Sequence, residues 1–145
     1  MKNIFYTLLI SVLVFNCKTS KTTSNKEDEK LANIKQNDTV TIANDDLEYE
    51  IIIIEPGFNY WLMSTARPEG YYSQQFLEMR NYQYVVAWNQ RVLQPLKFDP
   101  TLYELQIDYQ TGIDYGYDVN YKLYNYFIYF QLTYNERLTQ LLPRI

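Results

Sequence analysis

Carboxylates supply the acid and base groups of this 145-residue chain, with Glu48, Glu50, Glu55, Glu69, Glu78, Glu104, Asp108, Asp114 and Asp118 among its 17 Asp and Glu. Two carboxyls facing each other across a cleft lined with aromatic platforms could hydrolyse a glycosidic bond. Both ingredients are present, but Glu48, Glu50, Glu104 and Asp108 fall by alternation on wet strand faces, where carboxylates serve solubility. The chain has no histidine and one cysteine. That removes Ser-His-Asp and Cys-His catalysis, His-containing zinc sites, thiolate clusters and any intramolecular disulfide. Asp114, Asp118 and Asn120 offer oxygen ligands, yet the spacing lacks the closing Glu of a calcium loop, and helix capping by Asp118 is the simpler account. No metal or cofactor is expected. A non-catalytic binding or assembly module is the favoured reading, and a small envelope glycan hydrolase using paired carboxylates is the alternative.

For binding, the stretch GIDYGYDVNY stands out. Gly112 and Gly116 bracket a strand-to-helix connection in which Asp114, Tyr115, Tyr117 and Asp118 could meet sugar hydroxyls or a basic partner. Against this stands a structural role: Asp118 as a cap, Gly116 at positive φ, and both tyrosines flat on the core. Arg67, Arg80 and Arg91 could hold an anion, though pairing with the surplus acids is the better account. Net charge is −4 with no basic face, so nucleic acid is not an expected partner.

The elements that must position these residues follow from periodicity. LEYEIIIIEPGF reads as a strand over 47–54, alternating at first and then buried on both faces through its four isoleucines. A short helix over 58–66 follows Pro56-Gly57. The longest helix, 73–94, takes Ser73 as N-cap and buries Leu77, Tyr84, Val85, Trp88 and Val92, with Trp61 and Trp88 both in the core. YELQIDYQ alternates strictly and reads as a second strand over 102–109. The aromatic tail reads as a helix over 119–138, with Lys122, Asn125, Tyr129, Thr133 and Glu136 outward and Leu123, Phe127, Phe130, Tyr134 and Leu138 inward. The order gives an α+β domain over 45–142, a small sheet covered by three helices. It is tyrosine-rich, with sixteen in all, one of them Tyr6 near the start.

Ahead of the domain, residues 4–15 are almost wholly apolar behind Lys2, a run shorter than the roughly 20 residues a membrane-spanning helix needs. Residues 18–44 are polar, mixed in charge and free of aromatics, and read as a flexible tether; the charges of 26–30 read as solvated linker rather than a sorting signal. Between the two stands Cys17. Val14-Phe15-Asn16-Cys17 resembles the box of a bacterial lipoprotein signal, in which the cysteine is acylated, for example with palmitate, and becomes the new N-terminus. Asn16 and the bulky Phe15 depart from the small residues usual there, which leaves an uncleaved anchor as the alternative. The resemblance implies a signal peptide over 1–16, a lipidated tether over 17–44, and a cell-envelope protein held on a membrane, most simply the outer one, by acyl chains worth about 0.8 kcal/mol per buried methylene. An envelope protein or glycan is then the expected partner.

The strings YEIIIIEPGFNYWL, ARPEGYYSQQFLEMRNYQYVVAWNQRVLQP and IDYGYDVNYKLYNYFIYF resemble a family of small Gram-negative lipoproteins known as a domain of unknown function, family 6146, over about 48–134. The resemblance implies lipoprotein architecture and one domain, and it carries over no activity.

Overall fold

Residues 39–145 are described by the computed structural model; Cys17, the leader and most of the tether lie outside the described residues. Helix α3 (Tyr117–Thr133) sits at the centre. It buries residues on every side, from Val119 through Gln131, as expected of a helix that is apolar all round. Against it pack α2 (Gln74–Val92), α1 (Phe58–Ser64) and the strand β1 (Thr39–Asn44), which pairs antiparallel with β2 (Tyr49–Ile54). The fold is therefore α+β, with a two-stranded sheet and three helices.

Local chemistry sets the ends of these elements. The Ser73 hydroxyl accepts from the Phe76 N–H at 3.3 Å, the N-cap expected of it. Leu77, Tyr84, Val85 and Trp88 form the buried stripe of α2, as their spacing predicts. Gly57 opens α1 at φ 81°, and a Cβ there would stand 3.2 Å from the Tyr129 hydroxyl, so both conformation and space call for glycine.

Several expectations are corrected. Strand β1 occupies residues assigned to the tether. Ile42 is fully buried opposite Ile51, and the pairing itself makes the strand. The isoleucine run is buried on one face only: Ile51 and Ile53 turn inward, while Ile52 and Ile54 are 61% and 73% exposed. Helix α3 stops at Thr133, because Asn135 turns left-handed at φ 52° and the Glu136 N–H closes back on the Gln131 carbonyl at 3.1 Å. Gly116, not Asp118, is its N-cap; Asp118 instead pairs with Lys122 at 2.7 Å, and Asn125 and Tyr129 are buried rather than outward.

A further correction matters most for the site. Residues 102–109 form no strand. Tyr103, Ile107 and Tyr109 do point inward, so the alternation reported burial correctly at those three, but Leu105 is 78% exposed and among the described residues no strand pairs with the segment. Side chains of α2 take the place of a ladder. Asn89 donates to the Ile107 carbonyl and accepts from the Ile107 N–H, both at 2.8 Å, and the Trp88 indole N–H donates to the Leu105 carbonyl at 2.9 Å.

Trp88 also meets Tyr103 and Phe130 with ring centroids 5.0 and 4.9 Å apart. Trp88→Ala is expected to cost about 3–5 kcal/mol in denaturant unfolding, and Trp88→Phe, which keeps much of the ring but orphans the Leu105 carbonyl, less. Asn89→Ala should cost about 2 kcal/mol, two backbone partners lost, and make the amide of Ile107 exchange with solvent well before those of α2. Protection of Ile107 unchanged in that variant would show that the asparagine does not hold the segment.

Candidate functional site

Because the 102–109 segment is held by α2, it stands apart from the sheet, and a groove of about 570 Å³ opens between the two. One wall is β2 with its flanks, residues 48–56. The other is drawn from residues 101–108, and Trp88, Tyr126 and Tyr134 contribute to the lining. Along β2 alternate backbone groups point toward β1 and the rest away from it. Among the described residues, no strand pairs with that second edge.

Among the described residues five carboxylates line the groove, Glu48, Glu50, Glu55, Glu104 and Asp108, and no lysine or arginine does. Four of them are exposed. Glu55 differs: it is 8% exposed, and burial pushes its carboxyl above the ordinary value of 4.5, against the opposing effect of the Tyr134 hydroxyl, which donates to Oε1 at 2.9 Å. The Tyr134 hydroxyl is in turn pushed up to about 12, by desolvation first and by Glu55 second. At the other end of β2 the Tyr49 hydroxyl is buried without a hydrogen-bond partner among the described residues, and burial, with Tyr115 and Asp108 nearby, raises its pKa. Among the described residues no group of Asp, Glu or Cys is arranged to hold a metal ion.

The sequence-selected loop is placed differently. Tyr115 is 3% exposed, sandwiched between Tyr109 and Tyr49 with centroids 4.7 and 4.4 Å away, and its hydroxyl accepts from the Gln110 N–H at 3.0 Å. Tyr117 is half-buried; its hydroxyl accepts from the Gly70 N–H at 2.6 Å and donates to the Tyr72 carbonyl at 3.2 Å. Asp114 accepts from Gln74 at 2.6 Å and from the Gly116 N–H at 3.0 Å, while Asp118 is tied to Lys122. Asp114 lines a second groove of about 560 Å³ flanked by Gln74, Gln83, Tyr82 and Tyr109.

The arginines are engaged within the fold. Arg91 bridges Glu136 at 3.0 Å, donates to the Tyr103 hydroxyl and the Arg137 carbonyl, and lies over Phe98. Arg67 and Arg80 sit over the Tyr71 and Phe76 rings. Sequence reasoning singled out Glu48, Glu50, Glu104 and Asp108 only as solubilising charge. Their convergence on one groove was hidden because it depends on the 102–109 segment lying opposite β2 without pairing to it.

No curated protein and no solved structure matches the chain. A match over residues 5–143 covers nearly the whole length, and the chain belongs to a family of unknown function (DUF6146).

Proposed function

We propose that this protein is a membrane-tethered binding module of the bacterial cell envelope. Cys17 carries the lipid, the following residues act as a tether, and the domain presents the acid-lined groove to an envelope partner. The observation that carries this reading is the groove itself. Among the described residues it joins an unpaired strand edge, two exposed isoleucines and five carboxylates with no lysine or arginine beside them, a surface out of keeping with a purely structural domain. The anchor rests on the box ending in Cys17, and no helix among the described residues is long and apolar enough to cross a membrane. In such an arrangement the acyl chains supply membrane residence and the domain supplies selectivity, so neither needs to be large.

Two experiments test the two halves. Cys17→Ser is expected to abolish fatty-acid labelling and release the protein from the membrane fraction; a wild-type protein that stays membrane-bound without ever taking the label would end the lipoprotein reading. A photo-crosslinker at Leu105, on the groove rim, should capture a reproducible envelope partner in intact cells. The same group at Met79, exposed on α2 beside the other groove, should not. Equal capture at both positions, or none at Leu105, would remove the groove from the function.

One observation favours the hydrolase as a second reading. Glu55, whose neutral form burial favours, shares a groove with four exposed carboxylates, a combination suited to a general acid and a general base. Under that reading Glu55→Gln abolishes release of sugars from envelope glycan, and under the binding reading there is no such release to lose. The same variant checks the environment. Burial raises the folded-state pKa, so Glu55 contributes its stability below 4.5 and loses it as pH rises through the raised value. Wild type should therefore lose stability relative to Glu55→Gln as pH rises above 4.5. A difference in Tm that does not change over that range would show that the carboxyl is not desolvated.

A further inference from the structure

We propose that the occupant of the groove is an extended peptide, apolar and basic in alternation, that adds to β2 as a third strand. This rests on the groove being the binding surface and names what fits it. Three observations converge. First, β2 has six residues in regular extended conformation and pairs on one side only, so its outer edge offers a row of N–H and C=O groups with no partner among the described residues. A two-stranded sheet is marginal by itself, and an added strand completes backbone hydrogen bonding that is otherwise left to water.

Second, the groove follows the whole of β2, and its far wall, residues 101–108, already has the Leu105 carbonyl and both backbone groups of Ile107 bound by Trp88 and Asn89. That wall therefore does not compete for the edge, and it keeps the space beside β2 open. Side chains of an added strand would alternate. One set would face the rings of Trp88 and Tyr126 with Ile51 and Ile53, an apolar floor. The other would emerge beside Glu50, Ile52 and Ile54.

Third, charge selects among occupants. A second copy of this chain pairing edge to edge would bring two acid-lined grooves together with no cation from the described lining between them, which is repulsive. An acidic peptide meets the same repulsion. A lysine- or arginine-bearing strand neutralises the lining, which among the described residues holds no cation of its own. A neutral glycan could stack on the aromatic floor, but it would leave the carboxylates uncompensated and could not extend the sheet through main-chain pairing at each residue.

The test uses the full chain in detergent micelles and fluorescent peptides of six residues, the length of β2. One alternates lysine with valine, a second glutamate with valine, and a third set carries a single N-methyl group at successive positions of the lysine peptide. The lysine peptide is expected to bind, about tenfold or more tighter than the glutamate peptide, with affinity falling as salt is raised. N-methylation should weaken binding at every second position and leave the others nearly unchanged, the period of a strand whose alternate N–H groups face its partner. The double variant Glu50→Lys/Glu104→Lys, both positions exposed, leaves three acids against two cations in the lining, so it should keep its Tm and lose most of the preference for the lysine peptide.

Equal binding of the two peptides by the wild type, or N-methyl effects without a period of two, would overturn the proposal. So would failure of the lysine peptide to bind while the Leu105 crosslinker still captures a partner or a soluble glycan fragment perturbs groove resonances; in that case the module stands and its ligand is of another class. Failure at Leu105 as well would take down both.

Discussion

A tyrosine buried in the core must place its hydroxyl, and that requirement organises this domain. The rings around α3 contribute large apolar area, but each carries a polar tip that is costly to strand in a dry interior. The solution is to aim the tips at backbone groups of the connections. Tyr129 donates to the Pro56 carbonyl at 2.5 Å where β2 turns into α1, and Tyr121 to the Arg67 carbonyl at 2.7 Å after α1. Tyr117 holds Gly70 and Tyr72, and Tyr115 holds Gln110. Loops that would otherwise be loosely attached are thus pinned by the same side chains that fill the core. Buried asparagines bind a further phenol and one another, though the Asn81 Oδ1 has no partner among the described residues. Tyr109 donates to Asn120 Oδ1 at 2.7 Å, and Asn81 donates to the same oxygen and to the Asn120 carbonyl. The Tyr109 hydroxyl is pushed up to about 12, chiefly by desolvation, so this network stays neutral through the physiological range.

The same requirement explains the groove. With Asn89 bound to both backbone groups of Ile107 and Trp88 to the Leu105 carbonyl, that stretch of 102–109 has partners without joining the sheet. Tyr103, Ile107 and Tyr109 anchor the segment to the core, and the sheet is left two strands wide. The open edge of β2 is thus a direct consequence of side chains on α2 substituting for a neighbouring strand.

Much of this was legible in the sequence, and the parts that were not share a cause. The α2 stripe, the Ser73 cap, the core position of Trp88, the helical nature of the tail and the α+β class all follow from local periodicity. Periodicity reports which side of a segment is buried, and it did so correctly for Tyr103, Ile107 and Tyr109. It does not report what satisfies the backbone. For that reason 102–109 read as a strand though asparagine and tryptophan pair with it, and Thr39–Asn44 read as tether though it is a strand, its pairing supplied from outside. The end of α3 was missed because polar residues recur past Thr133 at helical spacing, while one left-handed asparagine decides the stop. Of the site, the carboxylates were visible one by one; their assembly depends on tertiary placement.

That placement ties the groove to the centre of the fold. Tyr126 and Tyr134, from α3 and the residue that follows it, line the same cavity as β2 and 102–109, and Tyr134 reaches Glu55 at the strand's end. Just beyond, Tyr129 grips Pro56, fixing where β2 leaves the sheet. The walls are therefore set by separate anchors on the two long helices, β2 by tyrosines of α3 and the opposite segment by Asn89 and Trp88 of α2. Since α2 and α3 pack directly on each other, the distance between the walls is fixed by helix packing rather than by loop conformation. A gap held in this way is ordered by folding itself, so under the binding reading proposed above the ordering cost of the site would already be met, leaving more of the contact free energy for the proposed occupant.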